Sequence, residues 1–150
     1  MDKTYLHISS WPALYGLVVG TGFMCIHLFM AKGAKLRKGE VSKGLIYTSL
    51  LMYLLELPAE EFLYRGAIFV PLLKLVHPLA AILLTSAIFL WLHVKSWNNR
   101  FVWIGSFVLG LVCAASVYFT KSIWAAILIH NLNNFGFMTL VNKRNIFKAK

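Results

Sequence analysis

Five long apolar runs dominate the chain: about residues 11–31, 44–70, 79–94, 101–119 and 122–141. Short segments rich in Lys, Arg, Gly and Pro separate them. Each run approaches or exceeds the ~20 residues that cross a bilayer as an α-helix, so each predicts a membrane span. The first could be a cleaved signal peptide. Against that, its amino end has only Lys3, partly offset by Asp2, and the run outlasts the ~7–15 residues of a signal h-region. A permanent helix is expected. Pro58, inside the second run, is expected to kink the helix or unwind a turn immediately before Glu60 and Glu61. The segment from Pro71 to Pro78 reads as a turn or a short interfacial helix. The predicted fold class is therefore all-α. One membrane domain over residues 1–150 forms a helical bundle of about five spans around a polar cavity, with a motif-bearing core at 44–141 and a basic tail at 142–150.

Composition agrees with the pattern, since a chain of 150 residues with 59% hydrophobic and 13% charged residues is too apolar for a soluble domain of this size. The formal charge of +10 raises nucleic acid as a partner, but the bases are confined to the segments between and after the runs. With the amino end outside, Lys32, Lys35, Arg37, Lys38, Lys43, Lys95, Arg100, Lys143, Arg144, Lys148 and Lys150 all fall on the cytoplasmic side. Lys3, Lys74 and Lys121 fall on the other. The positive-inside rule explains this distribution, which places the protein in the cell membrane with a cytoplasmic carboxyl end and makes membrane lipid, not nucleic acid, the partner. Trp11, Trp97, Trp103 and Trp124 sit near span ends as an aromatic belt should. Cys25 and Cys113 lie within apolar runs and form no disulfide framework.

The ionisable residues inside the runs carry the functional argument. A charge near a bilayer centre costs at least ~2.5–3.5 kcal/mol, so such residues face a protein interior or a wet cavity and are usually functional. Glu61 and Arg65 stand four apart on one helical face and can pair, whereas Glu60 points about 100° away and is left free as a candidate general base. Neighbouring spans run antiparallel, so counting from a shared turn near residue 75 puts Glu60 and His93 at similar depth. His130 and Asn134 are one turn apart, on one face near the middle of the fifth run. Glu60, His93, His130 and Asn134 can thus converge from three helices. A base, two imidazoles and an amide donor suit hydrolysis by an activated water. No Ser or Cys has a neighbouring His and acid, which disfavours a covalent nucleophile. Glu60, His93 and His130 are also a conceivable ligand set for a divalent metal such as zinc, although their spacing matches no standard zinc motif.

In this order and on three apolar segments, Glu60-Glu61-x-x-x-Arg65-Gly66, Phe89-x-x-x-His93 and His130-x-x-x-Asn134 resemble the motifs of the CAAX protease and bacteriocin-processing (Abi) family. That family includes the Ras-converting prenyl-protein endopeptidases. The resemblance covers residues from about 44 to 141. It implies an intramembrane endopeptidase of packed helices around a conical cavity, acting on a membrane-anchored protein or peptide substrate. It further implies that Glu60 with His93 activates the attacking water, that His130 and Asn134 stabilise the oxyanion, and that Glu61 and Arg65 form a supporting pair. The family has been described both as metalloproteases and as glutamate proteases without a metal cofactor. The glutamate type is the expectation here.

Plainer readings stand beside these. Glu60, Glu61 and Arg65 could be a charge cluster that locks helices together, His93 an interfacial histidine at a helix end, and His130 and Asn134 interhelical hydrogen-bond glue. Asn131 and Asn133 read as glue or cavity lining, and His7, His27 and His77 as interfacial or packing residues. A non-catalytic membrane peptide-binding or bacteriocin-immunity protein is the alternative function. A proton-coupled transporter is a third reading, weakened by the absence of inverted repeats.

Overall fold

The computed structural model describes residues 3–30, 43–96 and 99–140. The basic tail, Trp97 and the bases from Lys32 to Lys38 lie outside the described residues. Five helices form among those described: α1 (Ser10–Met30), α2 (43–72), α3 (Pro78–Ser96), α4 (Arg100–Thr120) and α5 (123–140). Three of them, α1, α3 and α4, are unbroken α-helices of 19 to 21 residues, long and apolar enough to cross a membrane. Large apolar side chains point outward along them, including Leu14, Leu17, Val18, Leu83, Leu84, Ile104 and Val108, while Glu61, Arg65, Thr85, Ser86, Ser116 and His130 are buried. This inverted distribution would be costly in water and is natural where lipid tails are the solvent. The protein is an all-helical membrane bundle.

Local chemistry sets the helix ends. Pro78 opens α3 at a position where its missing N–H costs nothing. Asn99 caps α4, its side-chain oxygen accepting from the Phe101 N–H at 2.9 Å. The same helix ends at Lys121 in the left-handed region, at φ 54° and ψ 30°, where the Lys121 N–H closes back on the Val117 carbonyl.

Pro58 does not unwind α2. The helix runs on through it, with right-handed dihedrals at Leu51, Glu56, Leu57, Glu61 and Phe62, and widens instead into two π-helical segments, Met52–Glu56 and Phe62–Phe69, around the α-turn Leu57–Glu61. Hydrogen bonding explains the outcome. The Leu57 N–H reaches back five residues to the Met52 carbonyl, and Pro58, next in register for the Tyr53 carbonyl, has no N–H to give. Asn131 of α5 supplies the missing donor, its Nδ2 reaching the Tyr53 carbonyl at 3.2 Å. The π-helical end of α5, Phe135–Leu140, docks beside this segment, with Tyr53 and Thr139 sharing a hydroxyl–hydroxyl hydrogen bond of 2.6 Å.

The helix α5 is central, packing on α1, α2 and α4, and α3 packs on α4. Close approach relies on small residues, the usual device between membrane helices. A Cβ at Gly16 or Gly20 of α1 would meet α5 at 2.9 Å, at the Ala125 carbonyl and the Leu132 side chain respectively, and one at Gly136 would meet Met24 Cα at 2.8 Å. Gly110 of α4 lies against Ser86 of α3 in the same manner. The amino end is tied to the α4–α5 turn: Ser122 Oγ donates to the His7 carbonyl at 2.9 Å and Trp124 Nε1 to the Leu6 carbonyl at 3.0 Å.

Candidate active site

The polar centre begins with Glu61, fully buried at the end of the α-turn between the two π-helical segments of α2. One carboxylate oxygen, Oε2, makes an ion pair with Arg65 Nε at 3.1 Å, without the alignment of a hydrogen bond. The other, Oε1, faces His130 Nδ1 of α5 at 2.8 Å. Arg65, equally buried, sends Nη2 to the Gly110 carbonyl of α4 at 3.3 Å. Its guanidinium carbon stands 5.2 Å from the Phe89 ring centroid and 5.9 Å from that of Tyr64. A buried cation thus has one carboxylate, one carbonyl and two aromatic faces around it.

Phe89 of α3 organises the next shell. It is fully buried and touches Tyr64 edge-on at 5.0 Å, His93 at 4.2 Å and His130 edge-on at 5.7 Å, measured between ring centroids. Its own carbonyl faces His93 Nδ1 at 2.8 Å. A carbonyl can only accept, so Nδ1 carries the proton and a neutral His93 presents an unprotonated Nε2. A carboxylate fixes His130 in the same sense, with Nδ1–H toward Glu61.

Glu60 and Asn134 stand apart from these contacts. Glu60 is half-buried, its Oε2 atom enclosed and without a hydrogen-bond partner. No hydrogen bond joins Glu60 to His93. The Asn134 side chain makes no hydrogen bond to Glu60, His93 or His130; its Oδ1 accepts from Asn133 Nδ2 at 2.9 Å, and Asn133 Oδ1 in turn faces His27 Nε2 of α1 at 2.8 Å. The structure therefore brings Glu61, Arg65, His130, Phe89 and His93 into one contiguous cluster, sets the unpartnered Glu60 carboxyl beside it, and ties Asn134 into a separate chain that starts on α1.

Among the described residues, no group of three or more His, Cys, Asp and Glu side chains is arranged to hold a metal ion. Glu60, His93 and His130, the conceivable ligand set, are not grouped in that way.

A sequence profile described as type II CAAX prenyl endopeptidase, Rce1-like, matches residues 42–136, well over half of the chain. The chain belongs to this family. Membership in the type II CAAX prenyl endopeptidase family implies a protease, a hydrolase of peptide bonds, in a membrane lipid environment and with a protein substrate. The matched residues contain Glu60, Glu61, Arg65, Phe89, His93, His130 and Asn134, and leave α1 outside. Comparisons with the curated proteins and with the solved structures find no match.

Three contacts escaped the sequence reading. Spacing pairs Glu61 with Arg65 and gives no hint that Glu61 also holds His130, 69 positions away. Phe89 enters the sequence as a motif letter and the structure as the aromatic wall shared by both histidines and Arg65. His27, read as an interfacial or packing residue, hydrogen-bonds to Asn133. The Gly16-x-x-x-Gly20 pair was the visible signal that α1 lies close enough for that contact.

Proposed function

We propose that the protein is an intramembrane endopeptidase that hydrolyses a peptide bond of a membrane-anchored protein or peptide, using a water activated by Glu60. The observation that carries the reading is the division of labour between adjacent carboxylates. Glu61 is tied to two neighbours, ion-paired to Arg65 through Oε2 and hydrogen-bonded to His130 through Oε1, whereas Glu60 makes neither contact and keeps an enclosed oxygen without a hydrogen-bond partner. A carboxylate held between a buried cation and an imidazole serves to position them, whereas an unpaired one beside it is available to take a proton from water.

In this mechanism Glu60 accepts a proton as water attacks the scissile carbonyl, and His93, through Nε2, helps orient that water. Negative charge develops on the carbonyl oxygen. The groups proposed to stabilise that charge are His130, held by Glu61 through Nδ1–H, and Asn134, through Nδ2–H. The proton on Glu60 then passes to the leaving amine as the C–N bond breaks, which restores the carboxylate. Low polarity around the cluster strengthens each of these contacts relative to water. The family's name points to substrates ending in a prenylated cysteine followed by two aliphatic residues and a terminal residue. The lipid-facing surfaces of α1 to α5 suit a substrate whose anchor is itself in the bilayer. The predicted orientation in the cell membrane has the amino end outside and the carboxyl end cytoplasmic.

The test is a cleavage assay in proteoliposomes with fluorescence-quenched peptides carrying such an end, farnesylated or not, run with and without a chelator. Cleavage of the farnesylated peptide that survives chelation supports the reading. Loss of cleavage with chelator and recovery with added zinc contradicts the metal-free mechanism, and peptide that is bound without being cut makes the protein a binding or immunity factor.

A further inference from the structure

We infer that His27, on the helix outside the family match, is a positioning residue for Asn134 and acts on it through Asn133. The inference rests on the proposed role of Asn134 as an oxyanion donor. The chain of contacts is direct: His27 Nε2 to Asn133 Oδ1 at 2.8 Å, then Asn133 Nδ2 to Asn134 Oδ1 at 2.9 Å. An amide oxygen can only accept, so His27 donates from Nε2 and fixes which end of the Asn133 amide faces α1. Asn133 must then turn its N–H2 toward Asn134, and Asn134 must turn its oxygen toward Asn133. What remains exposed of Asn134 is its Nδ2 amide, which has no hydrogen-bond partner among the described residues and is the end an oxyanion requires. Without the donor on α1, both amides are free to reverse, and a reversed Asn134 would point an oxygen at the developing negative charge.

The backbone is built to hold this contact. Gly16 and Gly20 let α1 lie against Ala125, Leu128, Ile129 and Leu132 of α5, and Gly136 admits Met24, one helical turn before His27. The His27 ring also packs on Phe137 of α5, at 5.3 Å between centroids and 56° between planes. Two surfaces of the imidazole are thereby set by α5. Asn133 is buried at 9% exposure, so water does not easily replace His27 as its donor. The first helix is in this account a working part of the catalytic apparatus as well as a membrane anchor.

The test uses the full chain in proteoliposomes and the farnesylated peptide, with kcat, KM and thermal midpoint measured for each variant. His27→Phe keeps the ring on Phe137 and removes the N–H donor; His27→Gln restores a donor. The expected result is a fall in kcat of about tenfold in His27→Phe, the usual scale for an outer-shell partner, with KM within twofold, an unchanged thermal midpoint and recovery in His27→Gln. Combined with Asn134→Ala, His27→Phe is expected to cause no further loss, because the residue it positions is gone. Multiplying losses in that double variant, unchanged kcat in His27→Phe, or failure of both His27 variants to fold would each overturn the inference and leave His27 a packing residue. Failure of the underlying reading shows differently, as full activity in Asn134→Ala itself.

Discussion

Glu61 Oε1 lies 2.8 Å from His130 Nδ1 while Oε2 of the same carboxylate lies 3.1 Å from Arg65 Nε, so one fully buried anion serves both a structural cation and a candidate catalytic imidazole. Deleting one member of a buried pair leaves the other charged and unsolvated, which typically costs about 3–5 kcal/mol. Arg65→Ala is accordingly expected to lower the thermal midpoint and the yield of folded protein, toward the lower end of that range because His130 still contacts Glu61. Replacing the pair together, as Glu61→Leu with Arg65→Met, removes both charges and is expected to recover much of the stability. It should not recover activity, since His130 loses the partner that orients it. Thermal unfolding and turnover on the same samples check both halves; an Arg65→Ala protein as stable as the parent would remove the ion pair from the account.

The second prediction concerns Asn131 and Tyr53. Loss of the Asn131 amide orphans a main-chain carbonyl that Pro58 has already deprived of its helical donor. An unmet buried polar group costs about 1–3 kcal/mol, whereas interhelical hydrogen bonds in membranes average about 0.6 kcal/mol. Asn131 Oδ1 is itself buried without a partner, so its removal offsets part of the loss. Asn131→Ala is therefore expected to destabilise by about 1 kcal/mol. Asn131→Asp, which keeps the shape, cannot donate and adds a charge, is expected to cost more. Denaturation in mixed micelles measures both, and an aspartate variant at least as stable as the alanine one would contradict this account of the π-helical segment.

The fold was largely legible because lipid imposes a simple rule: each span must satisfy its backbone internally and show apolar side chains outward. The five runs therefore map onto the five helices with shifts of a few residues at their ends. The response to Pro58 was not legible, because a missing N–H can be met by a kink, an unwound turn or a π-helical shift. The choice depended on a donor, Asn131, from another helix. In the candidate site, the i,i+4 spacing pointed to the Glu61–Arg65 pair, and motif order pointed to the helices that carry His93 and His130. The Asn134 side chain makes no hydrogen bond to that group, and its oxygen is bonded to Asn133 instead. Depth counting places a residue along a span and says little about which way a side-chain amide turns.

The central claim is that Glu60, not Glu61, is the base. Its most direct test is single-turnover cleavage of the farnesylated peptide by the parent and by Glu60→Gln in proteoliposomes, with and without chelator, after equal thermal midpoints show that both are folded. The account predicts that the parent cleaves in the presence of chelator and that Glu60→Gln binds the peptide with turnover reduced by at least ~100-fold, the loss expected when a general base is removed. Turnover in Glu60→Gln equal to that of the parent would contradict it.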